Sequence, residues 1–266
     1  MKPLIEIRDM DTTDEYFVGT CTHINESDEI DACAARRLGW LRAMHDNGVR
    51  VKIATLDGAQ IGFLYAVPIE FSPWGPLGGG LLVIPCLYVL KEGFGVGRAL
   101  IASAEEEALR QGRKGLVTIG YRQDFWFMPA GFFERNGFAE CARAEWKSSE
   151  TGSAAVLLWR TFAGGVQAPT LLKPDYRFSP IEGKVVIDLF WNTFCQTSDI
   201  EAQRVREVTA EFGDSVVLNE YSADDRAVLC RQQISRGIFV NGHEIGWGYE
   251  APREGIREAI VQALSR

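Results

Sequence analysis

Apolar and polar residues alternate through residues 4–10 (LIEIRDM), and apolar positions then recur at helical spacing through 27–48, where Gly48 closes the run. The first pattern predicts a strand and the second an amphipathic helix. From 49 to 69 the apolar positions alternate on both sides of Asp57-Gly58, the dipeptide that most strongly marks a tight hairpin turn. The Pro/Gly loop SPWGPLGGG leads into LLVIPCLYVL (81–90), an apolar run that reads as one buried strand. The next segment puts Val96, Leu100, Ala104 and Ala108 on one helical face and stops at Gly112. A strand over 115–121, a short helix ending at Gly137 and two more strands carry the pattern to about residue 162.

Residues 163–183 are rich in proline and glycine and hold no period, so they read as a linker. The pattern then restarts as strand, helix, strand, short helix, a hairpin turning at Asn241-Gly242, and a final helix. The expected organisation is an α/β (α+β) chain with one domain over 1–162, a linker over 163–183 and a smaller domain over 184–266. No internal repeat or low-complexity tract is visible.

Charge narrows the choice of partners. A formal net charge of −8 disfavours nucleic acid, whose binders carry a basic face. The first residues are too acidic for a signal peptide, and no apolar stretch approaches the roughly 20 residues that span a bilayer. The expectation is a cytoplasmic protein with no membrane partner. Cys21, Cys33, Cys86, Cys141, Cys195 and Cys230 are scattered, without CxxC or metal-ligand spacing to the three histidines, so no metal site is expected.

KEGFGVGRAL (91–100) places three alternate glycines directly before a helix. A P-loop would continue with Lys-Ser/Thr, and Arg98-Ala99 follow instead. A Rossmann fingerprint would read G-x-G-x-x-G at the start of a β-α-β unit, which this loop does not. Gly95 and Gly97 nevertheless remove side chains where a ligand backbone could approach, the helix amides lie behind them, and Arg98 adds charge. The expected ligand is a pyrophosphate held without metal.

Glu92-Gly93-Phe94-Gly95-Val96-Gly97 after an apolar strand resembles the acetyl-CoA loop of the GNAT N-acetyltransferases. Phe132-Phe133-Glu134-Arg135-Asn136-Gly137-Phe138 resembles that family's second hallmark, and the likeness covers roughly residues 4–162. It implies the GNAT acyl-CoA N-acyltransferase fold, acetyl-CoA as cofactor, CoA as product, and a small-molecule or peptide amine as acceptor. It also implies a cofactor site of Leu87, Val89, Phe94, Gly95, Val96, Gly97, Arg98 and Phe133. Glu92 stands where the family usually has Arg or Gln, and Phe133 where many members have a tyrosine that protonates the thiolate. Tyr88 and Tyr121 are the substitute acids. Glu70, Asp124 and His45 are the candidate bases, and Phe125, Trp126 and Phe127 form a candidate acceptor wall. The oligomeric state is left open, a dimer being one option.

The second half resembles a thioredoxin-like domain, with Cys195-Gln196-Thr197-Ser198 where that family has its redox motif. A thiol at a helix N-terminus has a lowered pKa. Ser198 replaces the resolving cysteine, Ile234 aligns where the family keeps a cis-proline, and Cys230 is a distant alternative partner. The two halves together resemble the YoaP-like acetyltransferases. Three functions stay open: amine acetylation, CoA binding without catalysis, and thiol chemistry at Cys195.

Overall fold

The computed structural model describes residues 5–91, 93–122, 127–145, 154–246 and 251–265. They divide into two compact units, residues 1–18 with 41–172, and residues 19–40 with 173–266. Among the described residues no helix is long and apolar enough to cross a membrane.

Unit 1 is built on an eight-stranded sheet. Its strands are β1 (Ile5–Asp9), β2 (Arg50–Leu56), β3 (Ala59–Pro68), β4 (Leu82–Val83), β5 (Leu87–Val89), β6 (Gly115–Arg122), β7 (Ala139–Glu145) and β8 (Ala154–Thr161). The order is β1-β2-β3-β4-β6-β8-β7, with β5 paired to β3. All ladders are antiparallel except β4 with β6. The β2–β3 turn has Asp57 and Gly58 both at positive φ, 50° and 84°, which matches the right-handed twist of the strands it joins. One face of the sheet carries α3 (Val96–Arg110) and α4 (Ala130–Arg135) over Leu64, Leu82, Ile84, Leu116, Val156 and Leu158. The predicted single strand over 81–90 is instead two short strands.

A buried ion cluster fixes α3 to the sheet. Lys52 of β2 is 5% exposed and donates to Glu107 Oε2 of α3 at 2.8 Å and to Asp9 of β1. Glu107, 2% exposed, also accepts from Gln111 at 2.7 Å and from Arg110. Two charges that have left water are held here because each meets the other, Lys52 with Asp9 as a further acceptor and Glu107 with Gln111 and Arg110 as further donors.

Unit 2 has a four-stranded sheet: β9 (Val185–Trp191), β10 (Val216–Ser222), β11 (Gly237–Val240) and β12 (His243–Glu244), in the order β10-β9-β11-β12. β10 runs parallel to β9, and β11 and β12 are antiparallel to their neighbours. Helices α5 (Gln196–Ala210), α6 (Arg226–Gln232) and α7 (Arg253–Leu264) complete it, and Asn241-Gly242 make the hairpin turn with φ 46° and 81°. Val185, Ile187 and Leu189 pack with Val205, Val208, Ile256 and Ile260.

Helix α2 (Asp28–Met44) follows the short α1 (Glu15–Gly19), and its residues through Trp40 cluster with unit 2. Pattern alone assigns them to the first domain. Their side chains explain the placement: Glu29 accepts from Arg204 at 2.6 and 3.0 Å and from Arg253 at 2.8 Å, and Arg36 donates to Asp199 at 2.7 Å. The segment read as a linker is tied down at both ends. Thr170 exchanges two backbone hydrogen bonds with Leu77, and Asp175 N–H reaches Gln232 O at 3.0 Å.

Glu107→Gln removes the charge that offsets Lys52 and is expected to cost about 3 kcal/mol, the scale for breaking a buried ion pair. A urea titration should show the lower midpoint, and 0.5 M salt, roughly five times the ionic strength that gives a ~10 Å Debye length, should not restore it.

Candidate functional site

The site is set by one extra residue. Val67 faces Val83 and Leu64 faces Leu87, so β3 advances 67 − 64 = 3 residues while its partner advances 87 − 83 = 4. The surplus residue lies in the stretch Ile84-Pro85-Cys86, a bulge where proline is tolerated. Before it, Ile84 N–H donates to Val117 O at 2.8 Å and Thr118 Oγ1 donates to Ile84 O at 2.7 Å, continuing the β4–β6 ladder. After it, Tyr65 N–H donates to Cys86 O and Leu90 N–H to Ile61 O, toward β3. By antiparallel alternation the amides and carbonyls of Leu87 and Val89 then face away from β3. β5 and β6 no longer pair, and a gap opens between them.

Met128 closes the apex of that gap. It is buried with φ 46°, its carbonyl accepts Tyr121 N–H at 2.9 Å, and its sulfur accepts Leu87 N–H at 3.3 Å. Nothing in the sequence singles it out. Pro85 does carry a signal, because proline inside an apparent central strand argues against an unbroken ladder.

At the far end of β5 the chain enters α3. Gly93 and Gly95 have φ 86° and 76°, and an added Cβ at either would meet open space, so backbone conformation is what demands glycine there. Gly95 is the N-cap and offers no side-chain bond to the helix. The amides of Val96, Gly97 and Arg98, at the positive end of α3, have no acceptor among the described residues. Gly97 has an ordinary helical φ. A Cβ there would lie 2.8 Å from the Phe132 ring and 3.8 Å from Leu87 Cδ2, so this glycine exists to let an aromatic ring approach.

Among the expected cofactor residues, Leu87 and Val89 line the gap with backbone groups, Gly95, Val96 and Gly97 form the helix start, and Arg98 is exposed on its first turn. Val96 turns its side chain into the core. Phe94 is 45% exposed. Phe133 is 0% exposed and packs edge-on to Phe132 and Phe138 at 5.1 and 5.5 Å, so its ring is core, and Phe132 is the aromatic beside the loop.

The expected acid and base residues among the described ones each have their own partners. Tyr88 stacks on Phe63 at 6.1 Å, while Tyr121 sits beside Phe127 at 6.0 Å on the α4 side. Glu70 has one oxygen on Gly80 N–H at 2.8 Å and the other on Arg113 at 2.7 Å. Burial opposes its ionisation, but the Gly80 amide and Arg113 hold its carboxyl below the usual range, which makes it a poor base. His45 is exposed beside Asp46. Glu92, Asp124, Phe125 and Trp126 lie outside the described residues.

In unit 2, Cys195 is the N-cap of α5 and is half-buried. Its Sγ is 3.0 Å from Thr197 Oγ1, and its N–H donates to Asn192 Oδ1 at 2.8 Å. Ser198 Oγ accepts Asn192 N–H at 3.0 Å, so the residue replacing a second motif cysteine holds the loop. Cys230 is exposed on α6.

No protein-family model matches this chain, and no curated protein does. Solved structures are similar over part of it. A protein from Desulfovibrio desulfuricans, described as an acetyltransferase of the GNAT family, is 18% identical with a TM-score of 0.47, covering 60% of this chain and 100% of its own. The yncA acetyltransferase of Salmonella typhimurium, solved with acetyl-CoA, is 19% identical with a TM-score of 0.45, covering 60% and 95%. A ribosomal-protein-alanine N-acetyltransferase from Brucella melitensis is 19% identical with a TM-score of 0.43, covering 59% and 99%.

Gly97→Ala is expected to lower stability by about 1–3 kcal/mol through overpacking against Phe132. Phe132→Leu in the same chain should recover most of that loss. A double-mutant cycle of urea midpoints reads the coupling, and additive losses would show that ring and glycine do not interact.

Proposed function

We propose that unit 1 is a GNAT-type N-acyltransferase that moves an acetyl group from acetyl-CoA to an amine. The observation that carries this reading is the gap between β5 and β6 with an uncapped helix N-terminus at the end of β5. The outward amides and carbonyls of Leu87 and Val89 suit an extended pantetheine arm, which would add to β5 as a strand does. The amides of Val96, Gly97 and Arg98 suit the pyrophosphate, with the α3 dipole behind them and the Arg98 guanidinium alongside. Acetyl-CoA supplies an activated acyl thioester. The chain's part is to align amine and carbonyl and to offer backbone donors to the oxygen that gains charge. In such a transfer the amine nitrogen would bond to the acyl carbon and give up a proton to solvent as the C–S bond breaks, and the CoA thiolate would take up a proton, for which Tyr88 and Tyr121 are the hydroxyls to test.

Unit 2 is read as thioredoxin-like, which gives the chain a YoaP-like arrangement. What supports this is its strand order: a parallel pair joined through α5, then an antiparallel hairpin added beside the first strand, giving 2-1-3-4 in chain sequence. Binding of CoA without turnover is the second reading, favoured by Glu70 being engaged with Gly80 and Arg113.

Acetyl-CoA in EDTA should raise the melting temperature of the protein, by mass action on the folded state, well beyond ATP-Mg or NADH. Equal stabilisation by ATP would sink the acyl-CoA reading. Arg98→Ala should weaken CoA binding by about 1.5–3 kcal/mol, roughly ten- to a hundredfold in calorimetry, while the backbone donors remain. Acetyl transfer to an amine panel separates the two readings, since a CoA-binding protein without turnover would bind normally and acetylate nothing.

A further inference from the structure

We propose that Met128 is a specificity-determining residue of unit 1: its thioether holds the Leu87 amide in the place of an acyl carbonyl and yields it when an acylated thiol arrives. The inference rests on the acyl-CoA reading, which it deepens by saying how the site tells acetyl-CoA from CoA.

The direction of the gap fixes where an acyl group would lie. The start of α3 follows one end of β5, and the Ile84-Pro85-Cys86 bulge precedes the other. An arm with its pyrophosphate on the α3 amides therefore runs past Val89 before Leu87, and its thioester end reaches the apex. Leu87 is the first residue of β5, so its N–H is the first strand donor past the bulge that faces away from β3.

That donor is held by a weak acceptor. Leu87 N–H reaches Met128 Sδ at 3.3 Å, and a thioether sulfur accepts a hydrogen bond less strongly than a carbonyl oxygen does. Met128 is 4% exposed, within the apolar cluster that Leu87, Val89 and Tyr121 flank. Its backbone is fixed. The φ of 46° lies where L-residues seldom go, Met128 O accepts Tyr121 N–H at 2.9 Å, and Pro129 O accepts Phe132 N–H at 3.0 Å. The side chain is unbranched and has three rotatable bonds, so the sulfur can leave the amide while the chain stays in place. An acyl oxygen that replaces the sulfur gains the stronger bond, whereas CoA has no acyl oxygen and gains nothing there. A preference for acylated over free CoA follows, and its size is the difference between the two acceptors.

Two substitutions move that difference in opposite directions. Met128→Leu keeps the volume but removes the sulfur, so an acyl oxygen gains a whole hydrogen bond instead of exchanging one. The ratio of CoA to acetyl-CoA dissociation constants should then rise roughly two- to tenfold. Met128→Gln offers Leu87 N–H a carbonyl oxygen on a side chain of similar length and should lower the ratio. The test is calorimetry of the full chain with CoA and with acetyl-CoA, circular dichroism confirming that each variant folds. In parallel, the Leu87 amide resonance of the wild type is followed through both titrations, and acetyl-CoA should shift it well beyond CoA. A ratio unmoved in both folded variants, or a Leu87 resonance that answers equally to both ligands, would overturn the role of Met128 and leave acyl-CoA binding intact. If neither ligand binds the wild type, the acyl-CoA reading falls and this proposal with it. Should a variant fail to fold, the wild-type resonance decides alone.

Discussion

Backbone hydrogen bonding has a parity of two, and a single surplus residue reverses it. In unit 1 the surplus falls between Val83 and Leu87. Up to Ile84 the strand bonds β6, and from Cys86 onward the same parity is turned to β3. The amides and carbonyls of Leu87 and Val89 are left facing a gap that β6 no longer fills. An unpaired strand edge within a covered sheet is costly unless something satisfies it. Met128 takes one Leu87 donor through its sulfur, and the rest of the edge is available to an extended ligand.

The second half of the site depends on how α3 is held. Among the described residues nothing caps its N-terminus, so its position is not set by its own first turn. It comes from the opposite end, where Glu107 meets Lys52 in the sheet, and from the apolar face of Val96, Leu100, Ala104 and Ala108. Phe132 then packs over Gly97, joining α4 to the loop. An uncapped helix end, which would merely fray if exposed and unsupported, is kept in place as a cluster of donors.

Unit 2 solves a related problem differently. The start of α5 is closed by side chains: Asn192 receives the Cys195 amide, Ser198 receives the Asn192 amide, and Asp224 receives the Thr193 amide and hydroxyl. Burial raises the Asp224 carboxyl despite those donors. The loop before Cys195 is thereby held by its own side chains.

The sequence by itself determined most of the secondary structure and its order. Alternation and helical spacing depend only on side-chain geometry along one element, and Asp57-Gly58 and Asn241-Gly242 carry their own backbone requirement. A thiol at the start of α5 was legible too, but Gly95 and Gly97 read as room for a ligand, whereas positive φ demands glycine at 93 and 95 and the Phe132 ring demands it at 97. Tertiary structure decided the rest. LLVIPCLYVL reads as one strand because register against β3 is not a local property, although Pro85 hinted at a break. Phe133 and Phe132 are equally aromatic, and only packing sends the first into the core and the second onto Gly97. Glu70 looks like an available base until folding brings Gly80 and Arg113 to it. Residues 19–40 join unit 2 through Glu29 and Arg36, whose partners lie more than 150 positions away, a separation that no local pattern encodes.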